Sequence, residues 1–374
     1  MGLPWLIEAL LDPCSYPESP AQVELRQTHI SYLFFTPGFV YKIKKPVNFG
    51  FLDFTTIDKR LFFCAEEVRL NRRLAPDVYI GVVPVTKKDG KALMEGVGEP
   101  VEFAVKMKRL DIRNNLEYVL EHGNVTADTV ERVARRIAEF HAEARTSAYI
   151  SSFGGVECIR KNIAENFDQT ADFVDIAVSK ALFDRIKAYN DGFIRANEKL
   201  FCRRVADGFI RDCHGDIHCE HVSISDGIEI FDCIEFNERF RYSDIVADVA
   251  FLSMDLDYHN RADLSKSFDA AYFAASGDSE GKGLLNFYKC YIAYVRGKVA
   301  AFKSAEEEVG QEESRGALID ARHHFHLAGE YAGGGVKPML IAIRGLSGTG
   351  KSMVADLLAE NTGFCTLSSD LIRK

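Results

Sequence analysis

The sequence lacks an apolar run of about 18 residues, the length that a membrane-spanning helix needs. Its first residues, MGLPWLIEALL, contain an acidic residue and no basic segment, so they do not have the pattern of a secretory signal. The myristoylation pattern is missing too, because Leu6 stands where Ser or Thr is required. The nine cysteines show no regular spacing. We therefore expect a cytoplasmic chain with reduced thiols and no membrane partner.

An excess of positive charge is also missing. The chain has 46 Lys and Arg against 55 Asp and Glu, which gives a formal net charge of −9. Binding to nucleic acid usually needs clustered basic side chains, so the charge argues against a nucleic-acid partner for the first domain. The 374 residues suffice for two or three domains of about 100–200 residues each. No pattern in the sequence indicates an oligomeric state.

Strand patterns fill the first hundred residues, and helical patterns fill most of the rest. A helix predicted from about Ile57 to Leu74 interrupts the strands, with Thr55 and Asp58 as a candidate cap. Apolar residues recur at helical spacing from Thr126 onward. The predicted strand regions are 22–44, 79–85, 101–107 and 209–233, and the predicted helical regions are 3–11, 127–200 and 243–330.

The strongest motif in the first part of the chain is His214-Gly215-Asp216-Ile217-His218. A predicted hairpin follows, from Val222 to Phe231, and Asp232 comes directly after it. Because a hairpin brings its two ends together, we expect both carboxylates at one mouth. Two carboxylates suit phosphoryl transfer, in which one deprotonates an attacking hydroxyl and the other holds Mg²⁺ against the phosphates.

This pattern resembles the aminoglycoside phosphotransferase and kinase-like family, whose catalytic loop reads H-G-D-x-H-x-x-N and is followed by a metal-binding Asp. The longer segment CHGDIH…IFDCIEFNERFRYSDIVADVAFLSMDL is similar to a bacterial subfamily that fuses such a kinase to a P-loop domain. The resemblance implies ATP and Mg²⁺, with Asp216 as catalytic base and Asp232 as metal ligand. His221 occupies the position of the family's metal-binding Asn, although imidazole is a poorer Mg²⁺ ligand than an oxygen donor.

The kinase-like pattern also assigns residues before the catalytic loop. Lys42, which shares one face of a predicted strand with Val40 and Lys44, would grip the phosphates and pair with a helix glutamate. We expect that glutamate to be Glu67, which falls on the apolar face of its helix, whereas Glu66 falls on the outer face. Thr28 and Ser31 would contact a phosphate from a turn that lacks glycine. The strand Val101 to Met107 would offer its backbone to adenine.

A second nucleotide motif lies near the end of the sequence. GLSGTGKS matches G-x-x-x-x-G-K-[ST] and is predicted to join an apolar strand, Met339 to Ile343, to a helix. Its phosphate-binding residues would be Gly345, Gly348, Gly350, Lys351 and Ser352. Asp370 and Arg373 resemble the acceptor-binding D-x-x-R segment of gluconate-kinase-like and polynucleotide-kinase-like enzymes. About 37 residues cannot close a doubly wound sheet, so we expect a truncated P-loop domain.

The sequence thus predicts an α+β chain with a bilobal, protein-kinase-like fold, followed by the first part of an α/β P-loop domain. The expected segments are a β-rich N-lobe at 1–110, a helical C-lobe with catalytic loop and acceptor cleft at 111–331, a linker at 332–338 and the P-loop domain at 339–374.

The expected activity is ATP- and Mg²⁺-dependent phosphorylation of a hydroxyl on a small molecule. Acidic residues such as Glu235 would suit a cationic acceptor. Two alternatives stay open, a non-catalytic nucleotide-binding module that regulates a downstream P-loop kinase and a chain whose main enzyme is the P-loop domain. A zinc site around Cys213 and His218 fits no familiar ligand spacing.

Overall fold

The computed structural model of the chain describes residues 4–123, 125–225, 227–306, 309–333, 341–346, 348–362, 366 and 368. The helices are α1 Trp5–Ala9, α2 Ile57–Asn71, α3 Leu116–Glu121, α4 Ala127–Glu143, α5 Ala148–Ser151, α6 Val156–Gln169, α7 Lys180–Ala206, α8 Glu238–Arg241, α9 Ile245–Tyr258, α10 Ala262–Ser276, α11 Leu285–Ser304, α12 Gln311–Tyr331 and α13 Lys351–Thr362. The strands are β1 Glu24–Gln27, β2 Ser31–Phe35, β3 Phe39–Lys44, β4 Tyr79–Lys88, β5 Lys91–Met94, β6 Pro100–Lys108, β7 Ile210–Asp212, β8 Val222–Ile224, β9 Ile228–Ile230 and β10 Tyr242–Asp244.

The chain forms two compact units. Unit 1 comprises Met1–Arg145 and Asp212–Ser243, and unit 2 comprises Thr146–Arg211 and Asp244–Lys374. The segment with the HGD motif therefore groups with the N-terminal sheet. The division into two units has no boundary at residues 110, 331 or 338, so the domain boundaries expected there stay predictions. No helix among the described residues has both the length and the apolar character needed to cross a membrane.

Unit 1 is built on a six-stranded sheet with the order β1-β2-β3-β6-β4-β5, in which all neighbours are antiparallel. Successive side chains of β3 point to opposite faces of the sheet. Tyr41 and Ile43 pack into one buried apolar cluster with Ile7 and Leu10 of the N-terminal segment. Val40 packs into a second cluster, which contains residues of α2. Because parity decides the face, the even-numbered Lys42 and Lys44 lie on the side that α2 covers.

Helix α2 agrees with its prediction in position and differs at both ends. Its N-cap is Thr56, whose hydroxyl oxygen accepts a hydrogen bond from the backbone N–H of Lys59 at 3.3 Å, one residue later than the expected Thr55. The helix ends at Asn71, before the expected Leu74. Glu67 lies on its buried face.

Unit 2 consists mainly of helices. A buried ion cluster joins Arg204 of α7 to Asp244 and Asp278, whose oxygens lie 2.8 Å and 2.7 Å from Nη2 of Arg204. Asp244 also caps α9 by accepting a hydrogen bond from the backbone N–H of Val246. All three charged side chains are almost fully buried. Asp244 therefore has a structural role within unit 2.

Candidate active site

The sheet and helix α2 bring a lysine between two carboxylates. Lys42 Nζ lies 2.9 Å from Oε1 of Glu67 and 2.8 Å from Oδ1 of Asp232. The Glu67 side chain is fully buried, and that of Lys42 is 11% exposed. Glu66, one residue earlier, instead pairs with Arg69 near the surface. The predicted ion pair between Lys42 and Glu67 is thus present. The role of Lys42 in binding phosphate stays a prediction.

A second lysine enlarges this cluster. Lys44 Nζ lies 2.6 Å from Oε2 of Glu67 and also donates a hydrogen bond to Oε1 of Glu235. Its ammonium group faces the ring of Phe54 at 4.9 Å from the centroid. The sequence predicted neither contact of Lys44. Glu235 is 7% exposed, which corrects the expectation that it suits a cationic acceptor, because a buried carboxylate paired with lysine has no free face for a ligand.

The HGD loop is held in place by its first two residues. The ring of His214 accepts a hydrogen bond from the backbone N–H of Asp216 through Nδ1 at 3.3 Å, and its Nε2 lies 3.1 Å from the carbonyl oxygen of Phe231. Gly215 has φ +88°, and a Cβ there would lie 2.9 Å from the carbonyl oxygen of Phe240. Glycine is required because this backbone conformation and this close approach both disfavour a side chain.

His221 lies between the two aspartates that the sequence singled out. Its Nδ1 is 3.6 Å from Oδ2 of Asp216, and its Nε2 is 3.6 Å from Oδ2 of Asp232. Nδ1 also lies 2.9 Å from the carbonyl oxygen of Asp216, an acceptor, so Nδ1 carries the proton and Nε2 is left to face Asp232. The antiparallel pairing of β8 with β9, in which Val222 is opposite Ile230, brings the two ends of the motif together.

The segment that begins at Asp232 is fixed by polar side chains of the sheet and of α2. The backbone N–H of Asp232 donates to the hydroxyl oxygen of Tyr79 at 3.2 Å, and that of Cys233 donates to Oδ1 of Asn71 at 2.8 Å. Asp232 itself has φ +61°, a left-handed conformation that Asp tolerates better than most residues. The sequence did not single out Tyr79 or Asn71. The one sequence signal for Asn71 is its position four residues after Glu67, which puts this polar residue on the same buried face of the helix.

The charges of this group depend on burial and on the neighbouring ions. Partial desolvation acts to raise the pKa of Asp232, whose side chain is still 44% exposed, but the attraction of Lys42 outweighs it and holds that pKa well below its usual range. Burial acts to lower the pKa of Lys42, and here Asp232 and Glu67 hold that pKa well above its usual value. Burial and the nearby His218 lower the pKa of His221. At neutral pH, Lys42 and Asp232 are therefore charged and His221 is neutral.

The turn expected to cover the phosphates fits only in part. The Oγ1 of Thr28 accepts hydrogen bonds from the backbone N–H groups of Ile30 and Ser31. Ser31 begins β2 and is fully buried, so its hydroxyl has no surface to offer a phosphate, and this residue's expected role needs correction. Thr28 is exposed and its phosphate contact stays a prediction. The expected adenine-binding strand corresponds to β6.

The residues of the P-loop motif other than Ser347 lie in the described part of unit 2. Gly348 and Gly350 have φ of +81° and +78°, and α13 begins at Lys351, whose Nζ lies 2.6 Å from the carbonyl oxygen of Leu346. Residues 341–346 have no regular secondary structure, and the start of the expected strand 339–343 lies outside the described residues. Asp370 and Arg373 also lie outside them, so their expected acceptor contacts stay predictions. Gly345 and Ser352, the first and last residues of the motif, are among the residues that the structure describes, and their contacts with phosphate stay predictions.

No protein-family model matches the chain. The uncharacterized protein Rv2004c of Mycobacterium tuberculosis (strain ATCC 25618 / H37Rv) is 32% identical over 355 residues, which cover 94% of this chain and 68% of the relative. The uncharacterized protein Mb2027c of Mycobacterium bovis gives the same values.

Among solved structures, the GDP complex of wild-type aminoglycoside 2'-phosphotransferase-IIIa aligns with a TM-score of 0.52 and 13% identity, covering 86% of this chain and 99% of that one. A choline/ethanolamine kinase family protein from Mesorhizobium loti has a TM-score of 0.49 and 13% identity, covering 87% of this chain and 99% of that one. The mixed sheet and helix content agrees with the predicted fold class. The chain therefore belongs to one family with the mycobacterial proteins Rv2004c and Mb2027c, and it has the protein-kinase-like fold of the aminoglycoside phosphotransferases.

Proposed function

We propose that the chain is an ATP- and Mg²⁺-dependent phosphotransferase that moves the γ-phosphate to a hydroxyl group of a small molecule. The observation that carries this proposal is the position of Lys42, whose ammonium group contacts both Glu67 and Asp232. A lysine held by a helix glutamate, beside an aspartate that follows a hairpin, is the arrangement with which kinase-like enzymes bind nucleotide phosphates. The fold supports the same assignment.

In the proposed reaction Asp216 is the base. Its carboxylate takes the proton of the acceptor hydroxyl, the acceptor oxygen bonds to the γ-phosphorus, and the bond from that phosphorus to the β-phosphate oxygen breaks, releasing ADP. The side chain of Asp216 is 28% exposed, so it has a surface that an acceptor can reach. Lys42 exchanges its contact with Asp232 for a phosphate oxygen, while Glu67 keeps its ammonium group in position.

The donor groups fit a divalent cation. The Asp232 side chain is 44% exposed and offers Oδ2, because its Oδ1 is engaged by Lys42. Carboxylate oxygen is the ligand that Mg²⁺ prefers, so Asp232 would hold the ion, and Nε2 of His221, 3.6 Å from Oδ2 of Asp232, would be a further donor. When bound, the ion would neutralise phosphate charge. Since imidazole suits Mn²⁺ and Zn²⁺ better than Mg²⁺, His221 is expected to shift the metal preference.

The test is ATP consumption by the purified chain with a panel of metabolites and aminoglycosides as acceptors. We expect turnover with at least one acceptor and a loss of at least about 100-fold in Asp216→Asn. Asp89→Asn, an exposed aspartate in the turn between β4 and β5 of the same unit, is the matched control and is expected to keep full activity. If turnover survives the substitution at Asp216, this residue is not the base.

His221 favours a second candidate function, a nucleotide-binding module without transfer activity that regulates a P-loop kinase. Its ring occupies the space between Asp216 and Asp232, with nitrogen where the kinase-like family has an amide oxygen. Calorimetry would then show binding of ADP with no ATP consumption for any acceptor. Turnover that depends on Asp216 would exclude this candidate.

We also propose that the P-loop motif is a separate phosphate-binding site. The left-handed glycines and the helix that begins at Lys351 are the features that let backbone N–H groups face a phosphate. Equilibrium binding is expected to give two nucleotides per chain in the wild type and one in Lys351→Ala. An unchanged stoichiometry would contradict the second site.

A further inference from the structure

The cluster around Glu67 contains more charge than the proposed chemistry needs. Lys42, Glu67 and Asp232 suffice to hold a nucleotide phosphate and a cation, yet Lys44 and Glu235 add a second buried pair. The side chains of Lys44 and Glu235 are 0% and 4% exposed. Removing two ions from water carries a large desolvation cost, and a buried ion pair is often no more stabilising than apolar residues of the same size. Stability alone therefore does not explain the pair.

What the second pair does supply is orientation. Both carboxylate oxygens of Glu67 face a lysine: Oε2 accepts a hydrogen bond from Lys44 at 2.6 Å, and Oε1 lies 2.9 Å from Lys42 in an ionic contact without hydrogen-bond geometry. With Lys44 in place, the carboxylate cannot rotate about its last bond without losing a buried ionic contact. Glu67 therefore presents Oε1 toward Lys42 whether or not Lys42 also contacts Asp232.

The second pair also fixes the chain that follows Asp232. Lys42 and Lys44 are two residues apart on one face of β3, and they contact Asp232 and Glu235, which are three residues apart. The segment 232–235 is thus attached to the strand at two points. When a phosphate draws Lys42 away from Asp232, the contact between Lys44 and Glu235 still holds the segment.

We propose that Lys44 and Glu235 are positioning residues that keep Glu67 and the segment 232–235 in place while Lys42 exchanges Asp232 for a nucleotide phosphate. This inference rests on the proposed function. It assigns no contact with nucleotide to either residue, so both act only through Glu67, Lys42 and Asp232.

A double-mutant cycle tests this role. The affinity for ADP with Mg²⁺ is measured by calorimetry, and ATP consumption is measured in parallel, for the wild type, Lys44→Met, Lys42→Met and the double variant. If Lys44 acts through Lys42, Lys44→Met weakens both readouts about tenfold in the wild-type background and less than about twofold when Lys42 is already Met. A purely structural role would give the same factor in both backgrounds and would overturn the inference.

Further variants keep the test valid if Lys44→Met does not fold. Glu235→Gln removes a partner of Lys44 but leaves Lys44 paired with Glu67, whereas Lys44→Met leaves two buried carboxylates without their shared lysine. This variant is expected to show the same dependence on Lys42. Lys44→Arg, which keeps the charge, is expected to restore most of the activity. Arg135→Gln with Glu131→Gln removes another ion pair of unit 1, with a contact of 3.0 Å, and is expected to leave both readouts unchanged.

The outcomes separate this inference from the proposed function. If Lys42→Met itself leaves the ADP affinity and ATP consumption unchanged, the proposed function fails and the positioning role fails with it. If Lys42→Met weakens both readouts while folded Lys44→Met and Glu235→Gln match the wild type, only the positioning role is overturned.

Discussion

Replacing Glu67 by Gln should destabilise the protein far more than the same change at Glu66. Glu67 is fully buried and contacts two ammonium groups, at 2.9 Å and 2.6 Å. Removing one partner of a buried ion pair typically costs about 3–5 kcal/mol, because the remaining charge stays buried without compensation. Each lysine here keeps one other carboxylate, Asp232 or Glu235, so we expect the lower end, about 3 kcal/mol.

Glu66 offers a matched control one residue away. It forms an ion pair with Arg69 at 2.7 Å, three residues along the same helix, but both side chains are partly exposed. Such pairs contribute about 0.3–0.5 kcal/mol. The two substitutions thus remove the same chemical group from the same helix, and they differ in burial and in the number of partners.

Urea unfolding followed by circular dichroism would measure the difference. With a slope of about 3 kcal/mol per molar urea, Glu67→Gln should lower the midpoint by about 1 M, and Glu66→Gln by about 0.1–0.2 M. Equal shifts for the two variants would refute the reasoning, since they would show that the buried contacts of Glu67 contribute no more than a surface pair.

The pH dependence of this difference has a definite sign. Burial acts to raise the pKa of Glu67, but Lys42 and Lys44 outweigh it, so its pKa in the folded state lies below the usual value. A group with a lowered pKa stabilises the fold above its unfolded pKa, and this contribution is lost as the pH falls through the folded pKa. The difference in free energy of unfolding between wild type and Glu67→Gln should therefore be constant near neutral pH and become smaller in acid below about pH 4.

Three further predictions concern the catalytic loop, the cation and the thiols. His221→Asn should raise the affinity for Mg²⁺ relative to that for Mn²⁺. Electron paramagnetic resonance would measure the displacement of Mn²⁺ by Mg²⁺ with ADP present. An unchanged ratio of the two affinities would show that His221 is no ligand. Gly215→Ala should lower the free energy of unfolding by about 2 kcal/mol, because its φ of +88° and a carbonyl oxygen 2.9 Å from the added Cβ both oppose a side chain, and a stability equal to wild type in urea unfolding would contradict this. At pH 8 a disulfide reagent should modify the exposed Cys14 in the folded protein and reach Cys64 only after unfolding. The reason is that burial raises the pKa of Cys64 to about 12. Labelling of Cys64 in the folded protein would disprove its burial.

The sequence predicted the parts of the site that depend on local periodicity. Helical spacing separated Glu67 from Glu66, and the structure places Glu67 inside and Glu66 at the surface. Strand alternation placed Lys42 and Lys44 on one face of β3, and both are buried beneath α2. These predictions succeed because a helix or strand fixes the direction of each side chain relative to its neighbours.

Pairing over long distances along the chain was not predictable in the same way. Glu235 is 191 residues from Lys44, and no local pattern connects them, so the glutamate was assigned to the acceptor instead. The helix cap was misplaced by one residue because Thr55 and Thr56 are both acceptable caps, and only the backbone geometry chooses Thr56. Ser31 falls in the turn from which a hydroxyl or backbone N–H is expected to reach a phosphate, whereas β2 begins at that residue and buries it.

The alternation along β3 makes the integrity of the fold and the chemistry of the site inseparable. A shift of this strand by one residue would exchange the environments of its odd and even positions, placing two ammonium groups among Ile7, Leu10 and their neighbours and turning Tyr41 and Ile43 toward α2. The free-energy cost of burying these charges among apolar side chains would strongly disfavour folding in this register, so the mispaired molecule would not be available to bind nucleotide. A slipped register is therefore strongly disfavoured, and the native register is the one that places Lys42 and Lys44 against Glu67, Asp232 and Glu235.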